Sequence, residues 1–213
     1  MSILSSKHLV AIGALAAMAA LSACSSMSAN ECMATDWRTV GYEDGVVGYS
    51  GDRIGKYRKA CSEHGVTPSL EQYQAGRDQG LREFCKPVNG FRAGARGNGY
   101  NGVCPAELDP AFMSAYESGR QLHTLRSRVS STASDIDSMR YELDRIDKDL
   151  ISTGARILDP TITHEQRAQY LVDSKQMAER KGELKTRIPQ LELDLIEYRR
   201  DLDDYRATLP YAE

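Results

Sequence analysis

The stretch LHTLRSRVSSTASDIDSMRYELDRIDKDL, residues 122–150, decides the fold of this chain. Apolar or small side chains recur in it in alternating steps of three and four residues, with charged residues between them. This spacing is the heptad pattern of helices that pack along a narrow apolar line. We call the line the first seam; it consists of Leu122, Leu125, Val129, Thr132, Ile136, Met139, Leu143, Ile146 and Leu150.

A second heptad line follows after a short break. The first helix is expected to end near Ser152–Gly154, and Thr163 with Gln166 predicts a capping box at the start of the next helix. Pro189 removes one backbone hydrogen bond and predicts a kink. The second seam consists of Arg167, Tyr170, Ser174, Met177, Lys181, Leu184, Ile188, Leu191, Leu195, Tyr198, Leu202, Tyr205 and Leu209.

We expect the two seams to face each other as an antiparallel hairpin, since a connector of about a dozen residues lets the chain fold back directly. A parallel dimer, in which each seam faces its own copy, is the less favoured alternative. About 40 residues at 1.5 Å each predict an arm of ~60 Å. Folding back about residue 158 predicts these partners: Ile146 with Tyr170, Leu143 with Ser174, Met139 with Met177, Ile136 with Lys181, Thr132 with Leu184, Val129 with Ile188, and Leu125 with Leu191.

The N-terminus predicts an export signal that ends in a lipidated cysteine. Leu9–Leu21 is an apolar run of 13 residues, too short to span a bilayer, which needs ~20. It leads into Leu-Ser-Ala-Cys at residues 21–24, which resembles the lipobox of bacterial lipoproteins. Cys24 is therefore the predicted attachment site for acyl chains such as palmitate. Ser25, in place of an aspartate, favours the outer membrane, facing the periplasm.

The composition divides the remaining chain in two. Cysteines, most glycines and the single Trp precede residue 109, whereas the segment after it is rich in charged residues. We predict a mainly α protein in which a small disulfide-stapled helical domain precedes a long antiparallel coiled-coil hairpin. The predicted parts are a signal peptide at 1–23, a lipidated tether at 24–31, a Cys/Gly-rich helical domain at 32–108 and the hairpin at 109–213.

Four cysteines of the exported domain predict two disulfides, because an even number of cysteines in an oxidising compartment normally pairs. A zinc site is the alternative, but the close C-x-x-C pairs of such sites are missing. Helices are expected at 36–48, 52–63 and from Thr67 to about Phe84, the last capped by Thr67. If the first two form a hairpin, the pairs are Cys32–Cys61 and Cys85–Cys104, the latter closing a Gly-rich loop.

An aromatic residue followed three positions later by glycine recurs four times. The copies are Tyr42/Gly45, Tyr73/Gly76, Phe91/Gly94 and Tyr116/Gly119. Glycine costs up to ~1 kcal/mol inside a helix, so a compensating role is expected. One interpretation is close helix packing. The other is a binding groove, for a glycan or small ligand, with Trp37, Tyr73 and Tyr116 on its wall.

These motifs together resemble a known family. The string runs from Glu31-Cys32 and Asp36-Trp37 through Ala60-Cys61, Tyr73-x-x-Gly76-Arg77 and Cys85 to Val103-Cys104-Pro105 and Phe112-x-x-Ala115-Tyr116. Over roughly residues 24–125 the chain is similar to the proteobacterial lipoproteins grouped as domain of unknown function 2799 (DUF2799). The resemblance implies an envelope location and no particular activity.

No catalytic, cofactor or metal motif stands out. The mature chain has His64, His123 and His164, and no metalloprotease, nucleophile-elbow or P-loop pattern occurs. A formal net charge of −3 argues against nucleic acid as a partner. We therefore expect a non-enzymatic scaffold or adaptor that presents the hairpin to an envelope protein. The alternative is a ligand-binding Cys/Gly-rich module with the hairpin as spacer.

Overall fold

The protein is described here from a computed structural model, over residues 27–210. The predicted mainly α class is confirmed, since the described residues form helices and no strand. The helices are α1 (Ala29–Ala34), α2 (Trp37–Val47), a 3₁₀ turn (Gly51–Arg53), α3 (Ile54–Ser62), α4 (Leu70–Phe84), α5 (Pro87–Ala95), α6 (Asp109–Ile157) and α7 (His164–Thr208).

The chain forms two compact units, and each is described by itself. Among the described residues, the first unit comprises 27–86 and 101–110, and the second comprises 87–100 and 111–210. This division differs from a single boundary at residue 109, because α5 belongs to the second unit. The sequence alone placed that segment in the cysteine domain.

The helices of the first unit begin at short polar caps. Asp36 accepts a hydrogen bond from the Arg38 amide at 3.0 Å and starts α2, as expected. The predicted cap at Thr67 is wrong. Ser69 caps α4 instead, accepting from the Gln72 amide at 3.4 Å. Pro68 is buried in the connection before the helix and does not form its first turn.

The segment expected to be a tether is partly helical. Ser28 and Glu31 form a reciprocal capping box that starts α1, with the Ser28 amide donating to the Glu31 carboxylate at 2.7 Å. Met27 packs against the first unit's core, which contains Cys32, Trp37 and Ile54. Packed structure is therefore present from Met27, three residues after Cys24, which itself lies outside the described residues.

Both predicted disulfides are present. Cys32 joins Cys61 with Cα atoms 5.6 Å apart, and Cys85 joins Cys104 with Cα atoms 5.7 Å apart. The loop-entropy model assigns each such link about 3–4 kcal/mol. They tie α1 to α3 and the end of α4 to the segment before α6.

Helices α2 and α4 meet through their backbones. A Cβ atom on Gly76 would lie 1.9 Å from the Arg38 carbonyl oxygen, and one on Gly41 would lie 2.0 Å from the Tyr73 carbonyl oxygen. Gly45 and Gly80 make the same kind of contact one turn further along, each under 3 Å from the facing backbone. No residue larger than glycine fits these positions, so the packing interpretation of the glycine repeat is correct here.

The second unit repeats this arrangement with a helix that was expected to be a loop. Helix α5 lies between Cys85 and Cys104, and a Cβ on its Gly94 would lie 2.1 Å from the Tyr116 carbonyl oxygen of α6. In return, a Cβ on Gly119 would lie 2.1 Å from the Phe91 carbonyl oxygen. The glycines that suggested a loop are the residues that let α5 pack.

Helices α6 and α7 pack as an antiparallel hairpin, which confirms the predicted class. The capping box is present: the Gln166 amide donates to Thr163 at 3.2 Å, and the Thr163 amide donates to Gln166 at 2.9 Å. Gly154 does not end α6, which continues to Ile157, and α7 continues through Pro189.

The predicted register of the hairpin is wrong. Leu125 packs against the cluster that contains Leu202, whereas its predicted partner Leu191 lies in the cluster of Ile136. The shift amounts to three positions along the second seam. A contact near the end of α7 agrees with this shift: the Tyr205 hydroxyl donates to the Ser118 carbonyl oxygen of α6 at 2.9 Å.

The ion pairs between α6 and α7 distinguish registers that the apolar seams cannot distinguish. Because the apolar steps repeat, sliding one helix along the other changes the apolar contacts little. The ion pairs across the hairpin do change: they are Arg140–Glu192 at 2.6 Å, Arg180–Glu142 at 2.8 Å and Lys181–Asp147. Each exposed pair is worth under ~1 kcal/mol, but together they favour one alignment.

The register predicts a specific crosslink. A Leu125→Cys/Leu202→Cys variant should form an intramolecular crosslink with a short thiol-reactive reagent, because both positions lie at one apolar cluster. The matched control, Leu125→Cys/Leu191→Cys, should not crosslink, since these residues lie at different heights of the hairpin. The measurement is non-reducing electrophoresis with peptide mass spectrometry. Crosslinking of the control pair alone would refute the structure's register.

Candidate functional site

A buried carboxylate is the centre of a polar cluster in the first unit. Asp44 lies on α2 between two interlocking glycines and is only 5% exposed. The Arg53 Nε donates to its Oδ1 at 3.0 Å, and the Tyr73 hydroxyl donates to its Oδ2 at 2.8 Å. The Tyr57 hydroxyl lies 3.2 Å and 3.3 Å from the two oxygens. We call these four residues the Asp44 cluster.

Local structure brings these groups to one point. The 3₁₀ turn carries Arg53 and the next helix carries Tyr57, while Tyr73 comes from α4 where it crosses α2. The Arg53 guanidinium also stacks over the Tyr49 ring at 3.7 Å, which is a cation–π distance. Four chain segments therefore depend on a single carboxylate.

The electrostatics keep the tyrosines as hydrogen-bond donors. Burial raises the pKa of Tyr73 well above its ordinary value, and the bond to Asp44 adds to the effect. Burial also raises the pKa of Tyr57. The hydrogen bond to Tyr57, and then the charge of Asp44, raise the pKa of Arg53. The carboxylate's acceptor positions are filled by donors of the chain, which is the arrangement of a structural centre.

An open polar cavity of about 300 Å³ lies beside this cluster. It is lined by Tyr49, Ser50, Asp52, Arg53, Lys56 and Asn101, all of the first unit. Within residues 27–210 no group of acidic, histidine or cysteine side chains is arranged to hold a metal ion.

The aromatic residues proposed as a groove wall are buried. Trp37 is 5% exposed and Tyr73 is fully buried, both in the first unit, whereas Tyr116 is 6% exposed in the second. Tyr73 donates to Asp44, and the Tyr116 hydroxyl donates to the Asn98 carbonyl oxygen at 2.9 Å. Their ring faces are covered by packing and do not form an open groove wall.

The Asp44 cluster was not anticipated from the sequence. One signal was available: Asp44 is a carboxylate flanked by Gly41 and Gly45 on a tightly packed helix face. An ionisable residue there is buried and needs a partner. Arg53, Tyr57 and Tyr73 are separated in sequence, so their convergence required the crossing of α2 and α4.

Residues 36–121 match the model of a family described as protein of unknown function (DUF2799). Over this segment the chain is similar to that family. No curated protein and no solved structure matches the chain significantly. The DUF2799 segment begins at the cap of α2 and ends just after Gly119, so it contains both glycine-interlocked helix pairs and the Asp44 cluster.

Most of the hairpin lies beyond the DUF2799 match. Its surface has a groove of about 370 Å³ between α6 and α7, floored by Ile136 and Leu195 and bordered by the Arg140–Glu192 pair. Large apolar side chains are exposed elsewhere along it. None of the helices within residues 27–210 is long and apolar enough to span a membrane.

The Asp44 cluster predicts a large effect of a small substitution. Asp44→Asn should lower the free energy of unfolding by about 2–3 kcal/mol, because Arg53 loses its partner and the amide nitrogen faces donors. Tyr73→Phe, which removes one hydrogen bond, should cost about 1 kcal/mol. Denaturant unfolding followed by the fluorescence of Trp37, the single tryptophan, measures both.

The matched control is Asp144→Asn, which removes an exposed ion pair with Lys148. It should change stability by less than about 0.5 kcal/mol. If Asp44→Asn were as mild as this control, the cluster would not be the structural centre described.

Proposed function

We propose that this protein is a lipid-anchored, non-enzymatic scaffold of the bacterial envelope that presents its helical hairpin to a protein partner. The anchor is Cys24, in the outer membrane on the periplasmic side, after removal of the signal at residues 1–23. The DUF2799 segment supplies a disulfide-stapled base, and the hairpin is the contact surface.

Exposed apolar side chains near the hairpin's turn carry the proposal. Leu158, in the connector, is 81% exposed, and Ile151, less than three turns before it, is 76% exposed. At the start of α7, Leu171 is 55% and Val172 is 49% exposed. We call these four residues the apolar end. Single exposed apolar residues are ordinary, but several within one end of a charged hairpin are typical of an interaction site.

Two further observations favour a scaffold over an enzyme. The most buried carboxylate within residues 27–210, that of Asp44, is saturated by donors of the chain, so it is not poised for proton transfer. The two disulfides and the interlocked glycines of α2 and α4 stiffen the first unit, which suits a fixed support. The burial of Trp37, Tyr73 and Tyr116 also gives no support to the alternative of an aromatic-lined ligand groove.

Site-specific photo-crosslinking in cells tests the proposal. A photoreactive amino acid at Leu158 or Leu171 should capture a discrete protein in the membrane fraction. The same residue at Met33 on α1, which is 66% exposed, is the matched control and should capture nothing discrete. An Ile151→Ser/Leu158→Ser/Leu171→Ser/Val172→Ser variant should lose co-purification of the captured protein.

The control for that loss is Met33→Ser/Val47→Ser, which removes exposed apolar surface of the first unit. It should co-purify with the partner as the wild type does. Equal behaviour of the two variants, or adducts with lipid alone, would contradict a protein-binding apolar end.

A further inference from the structure

The outer face of α3 is strongly basic. Between Ile54 and Ser62 the helix has Lys56, Arg58 and Lys59 exposed and no acidic residue. Its inner face is buried through Ile54 and Cys61. Lys56 and Lys59 lie one turn apart on the side opposite Ile54 and Cys61, and Arg58 lies on the flank of the helix. We call these three residues the basic face.

The cations of the basic face are not used within the described part of the chain. No ion pair among residues 27–210 involves any of the three. The acidic Glu63 follows the helix, and Glu31 on α1 is engaged in the Ser28 capping box. A solvent-exposed helix with three positive charges and no acidic residue is typical of a surface that meets an anionic partner.

The N-terminal chain enters the molecule at the end of this same helix. The Met27 carbonyl oxygen accepts a hydrogen bond from the His64 Nε2 at 2.9 Å, two residues after α3 ends. The Met27 sulfur lies 4.0 Å from the sulfur of Cys61, in the last turn of α3. The contacts of Met27 therefore place the first described residue against the C-terminal turn that follows Arg58 and Lys59.

Chain length then limits the distance to the anchor. Cys24 precedes Met27 by three residues, and an extended chain spans at most ~3.6 Å per residue. The Cα atoms of Cys24 and Met27 are thus at most about 11 Å apart. This distance is comparable with the Debye length of ~8 Å at physiological salt, so charges near Met27 act on a membrane that holds Cys24.

We propose that the basic face binds the anionic headgroups of the membrane in which Cys24 is anchored. The inference rests on the lipid anchor of the proposed function and adds an orientation: α3 lies against the lipid surface. The anchor alone does not fix the orientation of the first unit at the membrane. Three cations near an anionic surface, each contributing roughly fivefold in binding, are enough to select one orientation.

Lysine footprinting of the lipidated full-length protein tests this orientation. The protein is reconstituted in vesicles of phosphatidylcholine alone or mixed with phosphatidylglycerol, treated with an amine-acylating reagent and analysed by peptide mass spectrometry. With phosphatidylglycerol, acylation of Lys56 and Lys59 should slow at least about fivefold relative to the exposed Lys185 on α7. High salt should remove the protection.

A charge-reversal pair sharpens the test. Arg58→Glu should abolish most of the protection of Lys56 and Lys59, because it lowers the charge of the basic face from three positive charges to a net of one. Arg187→Glu, at an exposed position of α7, is the matched control and should leave the protection unchanged. Equal acylation of Lys56 and Lys59 in the two vesicle types would overturn the inference.

Flotation separates this failure from failure of the anchor. Protein that floats with the vesicles but shows no protection would overturn the basic-face inference and leave the lipid anchor intact. Protein that carries no lipid mass on its N-terminal peptide and does not float would overturn both.

Discussion

The contact of one helix backbone with another is the constraint on which the DUF2799 segment depends. Four glycines let α2 and α4 approach until each carbonyl oxygen meets a Cα rather than a side chain. The crossing brings Tyr73 to Asp44, and Asp44 in turn holds the 3₁₀ turn and α3 through Arg53 and Tyr57. With few aromatics and much charge, a core of this size gains from close backbone packing and from two disulfides.

The same construction occurs twice along the chain. Gly41-Tyr42-x-x-Gly45 on α2 corresponds to Gly90-Phe91-x-x-Gly94 on α5. Cys61 and Cys104 each lie twelve residues before the tyrosine of the following helix, Tyr73 or Tyr116. The copies differ where Asp44 corresponds to Ala93, so Tyr116 donates to a backbone carbonyl instead of a carboxylate. The second helix of the second copy continues as the arm of the hairpin.

Sequence patterns predicted the features that depend on local chemistry. Asp36 and the Thr163–Gln166 box start helices as expected, and the cysteine pairs follow from the order of the helices. The class of the long segment followed from its heptad spacing. These features are determined by residues close together in the sequence or by a simple reversal of the chain direction, so they can be predicted without knowledge of tertiary packing.

Features that depend on tertiary packing were not predictable in this way. Helix α5 was expected to be a loop because glycine disfavours an isolated helix, and only the facing Tyr116 and Gly119 make its glycines favourable. The register was missed because equivalent seam positions repeat and cross-helix ion pairs such as Arg140–Glu192 select among them. The Asp44 cluster needed the helix crossing before its members could be associated.

The stability of a Gly76→Ala variant tests the backbone contact most directly. Gly76→Ala should lower the free energy of unfolding by about 3 kcal/mol or more, because its Cβ would overlap the Arg38 carbonyl oxygen. A Cβ on Gly55 of α3 would have no neighbouring atom within 4 Å. Gly55→Ala should therefore raise the free energy of unfolding by about 0.5–1 kcal/mol. Denaturant unfolding followed by Trp37 fluorescence compares the two. Equal or greater stability of Gly76→Ala than of the wild type would contradict the account.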